Sequence, residues 1–271
     1  MRNGFSIIDA HCHIYPEKIA AKAVAGTDSF YSGHCEPSAG AGIVSDLLAH
    51  GTAAGVDRFI VQSVATTPKQ VKSINEFIAS EVHMHPDRLT GLGTLHPDSK
   101  DIEGDIEHLI ALGLKGVKLH PDIQAFKIDD YRCLKIYELC ESRLPILMHT
   151  GDYRYDYSNP NRLIPILEIY KNLTIIGAHM GGWSIWEEAS KELYRFENLY
   201  VDCSSSFYQL APQTALGIIR RYGASRVLFG TDYPMWDTEK ELAYFFALDL
   251  TPRERNAILS ANAAHLFSIS L

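Results

Sequence analysis

The sequence predicts an α/β fold, a slightly distorted (β/α)8 barrel, from three observations. Short apolar, β-rich runs alternate with stretches of helical period along the whole chain, and eight such strands can be counted. Near-continuous apolar strands suit a parallel sheet whose outer face is covered by helices. The 271 residues lie near the ~250 typical of one such barrel. Finally, the first strand-to-helix turn, Pro16-Glu17-Lys18, is no G-x-G-x-x-G, which an open doubly wound sheet would carry at that point. A single domain over residues 1–271 is expected, with a long loop after the first strand and a C-terminal helix.

The elements follow in order. Ile7 to Tyr15 reads as the first strand, and Glu17 to Gly42, rich in Gly, Ser and Ala and holding Tyr31, His34 and Glu36, as a long irregular segment of the kind that is functional or mobile. Asp46–His50 starts an amphipathic helix that ends near Gly51 to Gly55, before the second strand, Arg58–Val64. Pro68 opens a helix through Val82, closed by His83-Met84-His85-Pro86-Asp87, and Leu89–Pro97 is the third strand. Helix 101–112 stops at Gly113 before strand Gly116–His120; helix 131–142 precedes strand Pro145–His149. Helix 162–170 leads to strand Leu173–His179, helix 185–195 to Leu199–Cys203, and helix 212–222 to Arg226–Asp232. The tail from Thr251, with Pro252 at a helix start, is read as packing.

Composition excludes several partners. With 25 Lys+Arg against 33 Asp+Glu the formal charge is −8 and there is no basic stripe, so nucleic acid is not expected. Five cysteines, Cys12, Cys35, Cys133, Cys140 and Cys203, are scattered and form no C-x-x-C; neither a disulfide framework nor a thiolate zinc knuckle is expected, and a reducing cytoplasm fits. No run of ~18 apolar residues predicts membrane insertion. The expected partner is a small-molecule substrate, with a homodimer as the assembly if the chain associates at all.

The chemistry gathers at strand ends. In Asp9-Ala10-His11-Cys12-His13 three polar side chains recur at period two, so an extended strand presents them on one face. Two neutral imidazoles so placed can hold one ion at about 2.0–2.1 Å per nitrogen, with Asp9 as an orienting carboxylate or further ligand. His120, His149, His179 and Asp232 each close a later strand, just where Pro, Gly, Met-Gly-Gly or Tyr-Pro takes over. Active sites of such barrels lie at the C-terminal strand ends, so the recurrence on one barrel face points to a metal site built from His11, His13, His149, His179 and Asp232. His83 and His85 spell the same H-x-H but close a helix on the opposite face.

Asp-Ala-His-Cys-His, Gly-Val-Lys-Leu-His-Pro, Gly-Ala-His-Met-Gly-Gly and Gly-Thr-Asp-Tyr-Pro resemble the amidohydrolase superfamily of TIM-barrel enzymes. They look most like its amidohydrolase-related (amidohydrolase 2) group, which includes aminocarboxymuconate-semialdehyde decarboxylase-like enzymes. The resemblance spans essentially the whole chain. It implies one divalent metal ion, Zn²⁺ first and Mn²⁺ as the alternative, held by His11, His13, His149 and Asp232, with His179 left for chemistry. Such an ion supplies an activated water, and Asp232 and His179 are the candidate catalytic groups. Two-metal relatives use a carboxylated lysine on the fourth strand; Lys118 lies there, two residues deeper than His120, and a structural or substrate-facing role is preferred for it over a second ion.

Substrate contacts are expected from His120 at the rim and from Arg154, which either clamps a carboxylate or pairs with Asp152 and Asp156. Trp183 and Trp236 are expected to wall the pocket, with Trp186, Phe207 and Tyr208 as further aromatic candidates. The expected activity is metal-dependent hydrolysis of a small carboxylated or cyclic amide, ester or lactone. The alternatives are non-oxidative decarboxylation on the same scaffold and an inactive, metal-stabilised binding barrel.

Overall fold

The computed structural model describes residues 1–33, 36 and 40–270. The first half runs β1 (Ile8–His13), α1 (Glu17–Phe30), α2 (Val44–Ala54), β2 (Arg58–Gln62), α3 (Val71–Met84), β3 (Leu89–Gly91), β4 (Gly93–Thr94) and α4 (Ile102–Ala111). Then come β5 (Val117–Leu119), α5 (Pro121–Gln124), α6 (Leu134–Cys140), β6 (Ile146–Met148), α7 (Pro160–Ile169), β7 (Ile175–Gly177) and α8 (Trp186–Leu193). The chain finishes with β8 (Leu199–Asp202), α9 (Pro212–Tyr222), β9 (Val227–Leu228), α10 (Thr238–Ala247), α11 (Pro252–Asn256) and α12 (Asn262–Phe267).

All strand pairs are parallel, β1-β2-β3 in one sheet and β4 to β9 in the other. The third predicted strand is cut at Leu92 into β3 and β4, yet Leu92 N donates to Val61 O and Gly93 N to Gly116 O, each at 2.9 Å, so it bridges the two sheets. At the other seam Ala10 N donates to Phe229 O at 2.9 Å and His13 N to Tyr233 O at 2.6 Å. These bonds bring β1 beside the chain leaving β9, the arrangement of a TIM barrel.

Inside lies a cluster that includes Ile8, Ala10, Ile60, Leu92, Leu147, Ile176 and Leu228, into which the tail packs Ala263 and Phe267. A larger apolar layer between strands and helices, including Phe59, Val117, Ile146 and Val201, occupies the opposite strand parity. This is why the strands read as unbroken apolar runs: both faces are buried. The tail is packing, as its sequence suggests.

Three expectations need correction. The segment after β1 is not irregular throughout, because Glu17–Phe30 is helical. Its Ala, Lys and Glu are strong helix formers, but of its residues only Ala20 is fully buried, so there is little apolar periodicity to read. His34 and Cys35 lie outside the described residues. Helices α5 and α10 were not anticipated; α5 is only four residues long, and α10 starts at the Asp237 cap, whose side chain accepts from Lys240 N at 2.9 Å. The strict period-two reading of β1 also fails, because the ladder to β2 shifts register between Asp9 and Cys12. Ile8 and Ala10 therefore face the interior while Asp9 bonds Thr231, and beyond the slip His11 and His13 turn together towards the site.

Glu241 on α10 offers a stability test. Burial, with Asp9 and Asp232 nearby, pushes its carboxyl up from 4.5 to about 8, and Oε2 has no partner among the described residues. Since the folded state then holds the proton more tightly than the unfolded chain, stability from this group falls as pH rises from about 4.5 to about 8. Glu241→Gln is expected to remove that slope, gaining on the native protein by about 1–4 kcal/mol between pH 5 and pH 8 in urea titrations. Parallel pH dependence of the two proteins would refute it.

Candidate metal centre

His11 and His13 leave the end of β1 with their Nε2 atoms 3.2 Å apart. The Asp232 Oδ1 atom lies 3.3 Å from the first and 3.5 Å from the second. His11 Nδ1 donates to Asp202 Oδ2 at 2.9 Å, both side chains being fully buried; that bond puts the ring proton on Nδ1 and leaves the Nε2 lone pair facing the cluster. Burial holds both imidazoles well below 6.5, so they are neutral ligands rather than cations. The inward lone pairs and the carboxylate together form a metal-type donor set. A divalent ion fits that donor set.

Asp232 sits beyond β9 in the left-handed backbone region, φ 62°, as do His179 at 58° and Ser205 at 46°. Such strain costs of order 1–3 kcal/mol per residue and persists only where surrounding contacts impose it. Here they are visible. Asp9 accepts from Thr231 N at 3.0 Å and Thr231 Oγ1 at 2.6 Å, pinning the residue before Asp232. Ser205 Oγ donates to Asp232 Oδ2 at 2.6 Å, and Trp236 Nε1 donates to Ser205 Oγ at 2.6 Å. Asp9 is thus a fastening group and not a ligand.

His179 N donates to Asp202 Oδ1 at 3.1 Å, so one carboxylate orients both His11 and His179. His179 Nδ1 faces the Ser204 carbonyl oxygen at 3.1 Å, which can only accept. Its Nε2 lone pair therefore points at His149 Nδ1, 3.0 Å away. Burial lowers His179 to about 3 and keeps His149 well below its ordinary value. His149 Nε2 in turn faces Asp122 Oδ2 at 3.4 Å. Among the described residues two sets of donor atoms cluster within 4.8 Å: His11, His179 and Asp232, and His120, Asp122 and His149. The expected fourth ligand, His149, therefore stands in the second set and not with His11 and Asp232, because its two ring nitrogens face His179 and Asp122.

Lys118, only 1% exposed, places Nζ 3.1 Å from His11 Nε2. Burial lowers its pKa to about 8, against the pull of Asp232 and Asp202. The Asp232 carboxyl is raised by burial to about 7, with the Lys118 ammonium acting the other way.

The predicted substrate contacts fare unequally. Trp183 and Trp236 line the recess with His149, His179 and Asp232. Trp236 also stacks on Tyr208, centroids 4.3 Å apart. Trp183 is set by a backbone bridge to Gly151; there φ is +83° and a Cβ would come within 2.4 Å of Gly182 and Trp183 backbone atoms, so glycine is required. Arg154 is engaged: Asp152 takes its Nε at 2.9 Å and Nη2 at 2.7 Å, and Phe30 O takes Nη1 at 2.6 Å. Of its two predicted acidic neighbours, Asp156 pairs instead with Arg162 and Lys127. His120 stacks on His149, centroids 3.9 Å apart, and its Nε2 meets the Tyr31 hydroxyl at 2.8 Å.

From this floor a cavity of about 710 Å³ runs between α1 and α3, with Ile19, Phe30, Ile74, Phe77 and Ile123 in its walls. Residues 8–269 match the family model described as amidohydrolase. The chain belongs to that family. The chain is similar over 98% of its length to an uncharacterised TIM-barrel protein from Bordetella bronchiseptica (23% identity, 99% of that chain, TM-score 0.83). It is also similar to 5-carboxyvanillate decarboxylase from Sphingomonas paucimobilis (17% identity, 98% and 100% covered, TM-score 0.76). A third is a dihydroxybenzoic acid decarboxylase from a Polaromonas species with bound manganese and 2-nitroresorcinol (17% identity, 98% and 97% covered, TM-score 0.75). No curated protein matches the chain. No described helix is long and apolar enough to cross a membrane.

Three groups escaped the sequence reading: Asp202, Ser205 and Asp122. Asp202 carried a usable signal, a carboxylate at the end of an apolar strand. Ser205 lies in a loop and Asp122 in the short α5, and both act through partners that the local sequence does not disclose.

Proposed function

We propose that this member of the amidohydrolase family is a metal-dependent, non-oxidative decarboxylase of a small aromatic carboxylic acid. The observation that carries the reading is the cavity: a polar floor of His11, His13, Lys118 and Asp232 under walls that include Ile19, Ile74 and Phe77. A planar apolar ring suits such walls, while a carboxylate held among them loses hydration that its departing product, neutral CO₂, does not need. The decarboxylases among the similar structures support this choice of reaction.

In this reading His11, His13 and Asp232 would hold one divalent ion, Zn²⁺ or Mn²⁺, with His149 as the fourth ligand that the family resemblance implies once its ring is freed from Asp122. When bound, the ion supplies Lewis acidity that polarises a substrate oxygen. Asp232, held through Oδ2 by Ser205 with Oδ1 turned to the two histidines, would deliver a proton to the ring carbon bearing the carboxylate. The C–C bond then breaks, its electron pair stays in the ring, and CO₂ leaves. His179, a neutral base anchored by Ser204 and Asp202, turns Nε2 to His149 and stands in one donor set with His11 and Asp232, where it would orient the reacting oxygen. Lys118 offsets the charge of Asp232.

Hydrolysis of a lactone, ester or amide is the second reading, favoured by one observation. Asp232 directs Oδ1 to both histidines while Ser205 fixes Oδ2, the placement of a base that takes a proton from water and returns it to a leaving group.

Manganese- and zinc-loaded protein incubated with 2,6-dihydroxybenzoate, 5-carboxyvanillate, aryl esters and lactones separates these readings. Release of CO₂ from a hydroxybenzoate, abolished by chelation, is the expected result. Ester or lactone cleavage without CO₂ would replace the first reading by the second. Metal retention without turnover of any compound would favour a binding barrel.

A further inference from the structure

His120 has two ring nitrogens and two protein contacts, and together they dictate where its proton lies. Nδ1 accepts from the backbone N–H of Ile123 at 3.3 Å, a group that can only donate. An Nδ1 that accepts carries no proton, so the ring's single proton is on Nε2. Nε2 lies 2.8 Å from the Tyr31 hydroxyl. His120 is therefore the donor and the Tyr31 oxygen the acceptor, which leaves the phenol's own O–H to be given elsewhere. Among the described residues it has no acceptor.

The ring that carries this O–H is held from several sides. Trp183 meets it edge-on at 5.0 Å and Phe30 at 5.0 Å, while the Arg154 guanidinium lies 5.3 Å from its centroid. Arg154 also ties the C-terminal end of α1 to the loop after β6 through Phe30 O and Asp152. Tyr31 lines both the recess with His149, His179 and Asp232 and the wider cavity leading from it.

We propose that Tyr31 is a substrate-touching residue, a fixed hydrogen-bond donor to an anionic oxygen of the bound aromatic acid, with His120 as its positioning residue. This rests on the reading above that an aromatic acid occupies the cavity. A donor already oriented before binding stabilises negative charge on that oxygen without reorganisation, and the His120 bond polarises the phenol towards stronger donation. The pair thus gives His120 a part at the site through Tyr31.

The test uses 2-nitroresorcinol as a chromophoric probe, titrated into metal-loaded native protein and metal-loaded Tyr31→Phe, with metal content and circular dichroism checked for both. Phenylalanine keeps the ring contacts and removes only the O–H. Since a hydrogen bond to a charged group contributes about 1.5–3 kcal/mol, binding is expected to weaken by about 10- to 100-fold, and the bound nitrophenolate band should move to longer wavelength in the variant. Equal affinity and an unchanged band would overturn the donor role of Tyr31 while leaving the decarboxylase reading intact. Failure of the native, metal-loaded protein to bind the probe would count against the aromatic-acid reading and the present inference together.

Discussion

His11→Ala and His13→Ala are each expected to strip the protein of most of its bound metal, whereas His179→Ala retains it and loses most turnover. The two β1 histidines place Nε2 atoms 3.2 Å apart against the same Asp232 oxygen, and removing either leaves a ligand set that cannot close around an ion. Loss of a hydrogen-bonded partner behind a ligand typically costs 10–100-fold in affinity, so loss of the ligand itself should exceed ~100-fold. Asp202→Asn should fall within that smaller range, because it weakens the 2.9 Å bond at His11 Nδ1 without touching Nε2. Metal content after dialysis, read by mass spectrometry, decides the matter. If His179→Ala emptied the centre as completely as His11→Ala, His179 would be a ligand; its place with His11 and Asp232 in one compact donor set makes that a sharp test.

Asp232→Asn carries the second large effect. The amide keeps the shape and one carbonyl oxygen but loses charge and proton-carrying capacity, so weak metal binding persists while turnover drops by ~10²–10⁴-fold, the usual cost of losing a general acid or base. Its setting accentuates the loss. Oδ2 now accepts from Ser205 Oγ, and Ser205 from Trp236; an amide nitrogen at that position would face a hydroxyl already aimed at it. The limb of the pH–rate profile attributable to Asp232 should vanish in the variant. Its apparent value belongs to the coupled group of Asp232, Lys118 and the ion rather than to one carboxyl. Near-native turnover by metal-reconstituted Asp232→Asn on an identified substrate would remove this residue from the mechanism and leave His179 as the remaining proton carrier.

The sequence alone determined the alternation of strands and helices, and with it the barrel, because buried parallel strands must be apolar on both faces and helices must carry an apolar stripe. It also determined that His11, His13, His149, His179 and Asp232 end strands on one barrel face, since a polar residue closing an apolar run stands out against the run itself. What only the tertiary structure decided is where those side chains point. The register slip after Asp9 turns that carboxylate from candidate ligand to a clamp on Thr231, and no period-two count can show it. Asp202 meets His11 from 191 residues away, Tyr31 reaches His120 across 89, and Arg154 is captured by Asp152 and Phe30. Sequence periodicity reports which face of its own element a residue occupies. Which ring proton is held, which oxygen is pinned and which guanidinium is already engaged depend on contacts between elements, made only when β1 and β9 come together and α1 folds over the strand ends.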